Sequence, residues 1–272
     1  MANPHGEHLW YELLSTDLEA AQAFYGALLG WKLTESGQDG YYLIENCTEG
    51  ETHQIGGALA LTEEMKSGGA RPGWLGYIGV EDVDACLSRL SAAGATVLMP
   101  AWDIPGIGRL ALLADPQGTP FYIMRGASEH TSYAFAFDKP RVGHCAWNEL
   151  VTPDPAAAWR FYGEEFNWQK DGAMDMGPMG SYEFIRHQAL SENSAAVHGG
   201  VIGAIMPKPE QMPLPQWNYY FRVADIDVAV ARIQSGGGEI VSGPDEISGG
   251  EFTLQGIDPQ GAAFALIGVR PS

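Results

Sequence analysis

Basic residues are scarce: 15 Lys and Arg stand against 34 Asp and Glu, a formal net charge of −19. A surface this negative repels phosphate backbones and anionic lipid, so nucleic acid is not an expected partner. Cysteine is also scarce. Cys47, Cys86 and Cys145 have neither CxxC nor any other ligand spacing, and read as reduced, mostly buried thiols of a cytoplasmic protein. No apolar run approaches the roughly 18 residues needed to cross a bilayer. The opening MANPHGEHLWYE has no basic stretch followed by an apolar one, so neither a membrane partner nor an export signal is expected. A nucleophile motif and a phosphate-binding glycine loop are likewise missing.

What is present is a duplication. WYELLSTDLEAAQAFYGALLGW, Trp10 to Trp31, returns without a gap as WNELVTPDPAAAWRFYGEEFNW, Trp147 to Trp168, at an offset of 137. Each copy reads as a strand, an N-capped helix and a second strand. On the first strand Trp10, Glu12 and Leu14 share one face, and Leu9, Tyr11 and Leu13 the other. Further strands are expected at 41–45 and 55–61, giving one β-α-β-β-β unit. A second unit follows: strand 75–80, a helix to about Ala93, then strands 96–99, 109–113 and, after the turn Asp115-Pro116-Gln117-Gly118, 120–124. From Val142 the order repeats, with later landmarks such as Trp74/Trp217 and Asp115/Asp258 offset by 143. The six extra residues fall in the loop DGAMDMGPMG and the crossing MPKPEQMPLPQ. The expected class is α+β: tandem duplicated domains at 8–125 and 142–269, joined by a linker at 126–141.

The helix ending FYGALLGW, the strand followed by VEDVDA and the turn DPQG before a last strand, each occurring in order and in duplicate, resemble the vicinal oxygen chelate superfamily. That superfamily comprises glyoxalase I, bleomycin- and fosfomycin-resistance proteins and extradiol dioxygenases. The resemblance implies that each domain curls two βαβββ units into an incomplete barrel, helices outside, with a ligand cleft on the concave face. It also implies a divalent ion held by one His, Gln or Glu from each of the first, fourth, fifth and eighth strands. In this chain those positions fall on Trp10 and Trp147, on Leu75 and Asn218, and on Tyr122 and Ala265. Near the fourth strand stand His53 and His198. Indole offers no metal ligand, and a stable transition-metal site uses three or four. The expectation is therefore no metal ligands and no cofactor.

Glu12 and Glu149 lie two residues beyond the first of these positions, on the same face. A carboxyl there is either a general base or ligand anchor, or a group bonded to backbone amides or an Arg that fixes the sheet. Arg109 either enters the first cleft, to pair with Glu12 or clamp a carboxylate, or is an exposed residue at a strand start. Trp10, Tyr77 and Tyr122, with Trp147, Asn218 and Tyr220, either wall pockets for a flat ligand or fill a collapsed barrel. These residues and His198 make up the expected ligand-binding set. Three functions stay open: a metal-free binder of a small aromatic or apolar ligand, of the bleomycin-resistance kind; a lyase, isomerase or oxygenase acting through Glu12 or Glu149 or an atypical metal site around His198 and Glu149; and a partner-binding module with vestigial clefts. Either a monomer or a homodimer fits the sequence.

Overall fold

A computed structural model describes residues 3–48 and 50–271. The first half contains β1 (His8–Ser15), α1 (Leu18–Leu29), β2 (Trp31–Glu35), β3 (Tyr41–Thr48), β4 (Glu51–Ala60), α2 (Glu63–Ser67), β5 (Gly73–Gly79), α3 (Val83–Ala92), β6 (Thr96–Ile104), β7 (Gly108–Ala114) and β8 (Pro120–Gly126). The second half runs β9 (Cys145–Thr152), α4 (Pro155–Glu165), β10 (Trp168–Asp175), β11 (Ser181–His187), α5 (Gln188–Ser191), β12 (Val201–Pro207), β13 (Gln216–Val223), α6 (Ile226–Ser235), β14 (Glu239–Ile247), β15 (Glu251–Ile257) and β16 (Ala263–Val269). The four long helices start alike: Asp17, Asp82, Asp154 and Asp225 each accept a backbone N–H of the first turn through the side chain. That satisfies a donor the helix itself cannot pair.

Each half folds into one eight-stranded sheet, ordered β2-β3-β4-β1-β5-β8-β7-β6 and, with the same topology, β10-β11-β12-β9-β13-β16-β15-β14. Two βαβββ units meet at an antiparallel seam, β1 on β5 and β9 on β13. The alternation expected for β1 holds. Tyr11 and Leu13 join the large core with the helices, while Trp10 and Leu14 belong to a separate cluster on the opposite, concave face.

The large core runs through both halves, which pack helix side to helix side within one chain. Paired contacts related by the repeat cross this boundary. The Tyr25 hydroxyl donates to Asp258 at 3.0 Å and that of Tyr162 to Asp115 at 3.1 Å. The Trp31 indole donates to the Gly143 carbonyl at 2.7 Å and the Trp168 indole to Gly6 at 2.9 Å. The aspartates of the DPQG turns therefore do more than close a turn.

Two local expectations are corrected. The DGAMDMGPMG stretch is not wholly a loop: β10 extends to Asp175 and pairs with β11, Met174 opposite Tyr182. Its residues have weak strand preference, and the ladder to β11 supplies the order. The five-residue helix α2, capped by Thr62 on the Met65 amide, has no place in the expected element order; it is too short to show a helical period.

Candidate functional site

The sheet alternation that sends Tyr11 into the core turns Glu12 onto the concave face, and Glu149 likewise. Both are almost fully buried, at 2% and 4% exposure. An isolated carboxylate there would be costly, so its partners decide its state. Neither a backbone amide nor an arginine supplies them. The Tyr77 hydroxyl, from β5, donates to Glu12 Oε2 at 2.7 Å. Tyr122 from β8 and Tyr41 from β3 stand close enough to favour the ionised form, but burial outweighs them and pushes the Glu12 carboxyl up to about 7. Glu12 Oε1 is buried without a hydrogen-bond partner.

Glu149 is better served. Asn218 Nδ2 donates to Oε1 at 2.9 Å, Tyr182 to Oε2 at 2.9 Å, and the Tyr220 hydroxyl lies 3.1 and 3.2 Å from the two oxygens. Burial still raises this carboxyl above the usual range, with the three donors working against it.

An indole completes each arrangement. Trp10 Nε1 donates to the Tyr41 hydroxyl at 2.9 Å, and Trp147 Nε1 to that of Tyr182 at 2.7 Å. In the second half this makes a continuous chain, indole to phenol to carboxylate. Both concave faces are thus a buried carboxyl ringed by phenols, with a tryptophan behind. Tyr41 and Tyr182 escaped the sequence reading, which tested the first, fourth, fifth and eighth strands. These two sit on the third, and their signal was a tyrosine within the first two residues of each third strand.

The structure brings together Trp10, Glu12, Tyr77 and Tyr122 in one face, and Trp147, Glu149, Asn218 and Tyr220 in the other. Arg109 is not among them: its guanidinium binds Asp84 of α3 and Asp103 at the surface, 2.8 and 2.9 Å away. Its neighbour Leu110 is the residue that joins the concave cluster, so alternation sends Arg109 to the helix side. His198 also stands apart, exposed in the turn Val197–Gly200 with left-handed backbone (φ 52°), whereas Glu149 takes its partners from β11 and β13. His53 lies against Tyr133 and His144, ring centroids 5.3 and 5.4 Å away.

The implied divalent ion finds a poor fit. Among the described residues no three His, Cys, Asp or Glu side chains come together. Each concave face offers one carboxyl, and the family positions carry an indole, a leucine or asparagine, and a tyrosine or alanine. Two surface depressions, about 440 and 560 Å³, lie elsewhere. One is beside Arg109 and Arg125, the other between the end of α1 and the start of α6. They carry no comparable chemistry. No helix among the described residues is long and apolar enough to cross a membrane.

Known proteins place this geometry in context. "Putative glyoxylase CFP32" of Mycobacterium tuberculosis is 30% identical over 269 residues, 96% of this chain and 94% of that protein. "Anthracycline biosynthesis protein DnrV" of Streptomyces peucetius is 29% identical over 279 residues, 97% of this chain and 94% of that one. In fold, the chain is similar to a Mn(II)-bound glyoxalase from Novosphingobium aromaticivorans, with TM-score 0.63, 18% identity, and coverage of 98% and 84%. It is also similar to homoprotocatechuate 2,3-dioxygenase from Brevibacterium fuscum, with TM-score 0.62, 15% identity, and coverage of 97% and 81%. The sequence profile of one family matches twice, over residues 8–123 and 141–266. The chain belongs to the Glyoxalase/Bleomycin resistance protein/Dioxygenase superfamily.

Proposed function

We propose that the protein binds a small, flat aromatic or apolar molecule on its concave faces and needs no resident metal to do so. The observation that carries this reading is the repeated carboxyl inside a ring of phenol hydroxyls. Aromatic walls provide apolar area, and the few polar atoms among them fix a ligand's orientation. The name of the Streptomyces relative, which concerns anthracycline biosynthesis, points the same way. The test is thermal stabilisation by a panel of catechols, hydroxyanthraquinones and glutathione hemithioacetals, with elemental analysis of protein purified without chelator. A ligand that binds the native state must raise its apparent stability, by about 2.7 kcal/mol at a hundred times Kd. No shift with any compound, or about one divalent ion per domain, overturns the reading.

A second reading has its own support. A Glu12 carboxyl near 7 is poised to give and take a proton at neutral pH, as a general acid–base of a superfamily lyase, isomerase or oxygenase must. If turnover is found on any panel compound, Glu12→Gln should reduce kcat by about a hundredfold or more. An unchanged kcat removes Glu12 from the chemistry.

A further inference from the structure

The repeat builds one helix junction twice: α4 meets α3, and α1 meets α6. At the first, Arg89 of α3 grips the last residue of α4. Its Nε and Nη2 donate to the two carboxylate oxygens of Glu165 at 2.8 and 2.6 Å. The His5 imidazole lies over the same helix end, 2.6 Å from the Glu165 carbonyl oxygen and stacked on Phe166 with ring centroids 6.2 Å apart. That junction closes itself with its own carboxylate and its own rings.

The second junction keeps the cation and drops what fills the first. At the offset of 143, Arg89 becomes Arg232; at 137, Glu165 becomes Leu28, Phe166 becomes Leu29 and His5 becomes Val142. A groove of about 560 Å³ opens here, and Leu28, Leu29, Val142 and Arg232 all line it. Val228 stands on its wall with 41% of its surface exposed. Among the described residues no carboxylate pairs with Arg232. Asp225, the other charge in the lining, caps α6 by accepting the amides of Asp227 and Val228. Asp82 caps α3 in the same way beside the Arg89–Glu165 pair, so a carboxylate tolerates that neighbour.

We propose that the groove between α1 and α6 binds a small carboxylate with an apolar body, its carboxylate held by Arg232 as Glu165 is held by Arg89. The planar fork of an arginine matches a carboxylate in two parallel hydrogen bonds. The side chains that replace Glu165, Phe166 and His5 give the rest of the molecule an apolar wall. The volume falls within the range of small-molecule pockets, about 300–1,000 Å³. This site lies among the helices, apart from the concave faces, and stands whether or not those faces bind an aromatic ligand.

Calorimetric titration of the full chain with octanoate and with 1-octanol tests the proposal. One octanoate per chain is expected, with 1-octanol about tenfold weaker or more for want of the charge-assisted pair. Arg232 is exposed, so Arg232→Gln leaves the core alone; it should weaken octanoate about tenfold and leave 1-octanol unchanged. Leu28→Glu should rebuild the ion pair of the first junction and abolish octanoate binding; Arg232→Gln decides the matter if that variant fails to fold. Cys47 also lines the groove and is the one exposed cysteine of the three, so saturating octanoate should slow its alkylation by iodoacetamide. Undiminished octanoate binding to Arg232→Gln would place the ligand elsewhere, a concave face included, and overturns the proposal. Failure of octanoate to bind, equal affinities for octanoate and 1-octanol, or Cys47 alkylated at its free rate overturns it as well.

Discussion

Replacing Glu7 by Gln is expected to stabilise the protein, and increasingly so as pH rises. Glu7 lies just before β1, 1% exposed, and neither of its carboxylate oxygens has a hydrogen-bond partner. Burial pushes its carboxyl from 4.5 up to about 8, against a smaller opposing effect of Asn3. A group whose folded-state pKa is raised contributes its full stability below the unfolded value and loses it as pH rises through the folded one. Between 4.5 and 8 the unfolded chain releases a proton that the native protein keeps. At 1.36 kcal/mol per unit, the loss is about 3 kcal/mol at pH 7 and about 5 kcal/mol by pH 9, to order of magnitude. Gln has the same shape and no charge to desolvate, so it escapes this loss. Urea unfolding of both proteins at pH 5, 7 and 9 measures the difference directly. The shifted titration of Glu12 is common to both and cancels. A gap between variant and wild type that stays flat from pH 5 to 9 would refute the reasoning, since it would mean that Glu7 ionises in the native state as easily as in the unfolded one.

Two other perturbations probe the frame that holds the faces. Tyr25→Phe leaves an oxygen of buried Asp258 without its donor from the other half, and Tyr162→Phe does the same to Asp115; each should cost about 1–3 kcal/mol in denaturant unfolding, and similar costs would show that the repeat-related contacts are equivalent. Gly203→Ala sets a methyl 1.9 Å from the Asn148 carbonyl oxygen on the neighbouring strand β9, and Gly56→Ala one 2.2 Å from that of Tyr11; since the obstacle is backbone, a loss of roughly 3 kcal/mol or more is expected from either, and a melting temperature unchanged by both would show that the seams between β1 and β4 and between β9 and β12 are not so tightly packed.

How far the sequence reveals such a molecule depends on the range over which each feature is determined. Helix starts are local, and Asp17, Asp82, Asp154 and Asp225 cap as their positions suggest. Strand parity is local too, and it correctly turned Glu12 and Glu149 onto the concave faces. Arg109 shows where a local pattern is insufficient: the sequence leaves it open between the cleft and an exposed strand start, and the partner that draws it to the surface, Asp84 of α3, is 25 residues away. Glu7 gave no signal because a polar lead before the first strand looks solvated. Its neighbours Gly6 and His8 meet Trp168 of the second half, a long-range contact that no local pattern announces.

The partners of the central carboxyls lie beyond any local rule. Trp10 meets Tyr41 across 31 residues, and Trp147 meets Tyr182 across 35. The intervening chain differs in length, yet the indole, the phenol and the carboxyl come together in both halves. Spacing along the chain therefore does not define the site; the sheet ladders do, by carrying the third strand back to the same register whatever the hairpin between. The Tyr122 and Ala265 positions make the same point from the other side. Both stand beside a tyrosine in an identical parallel register, so the loss of the ring at Ala265 is a change of side chain on an unchanged frame. A difference confined to side chains on one register is what lets the two duplicated domains surround the same buried carboxyl with different partners, phenols in the first and phenols with an amide in the second.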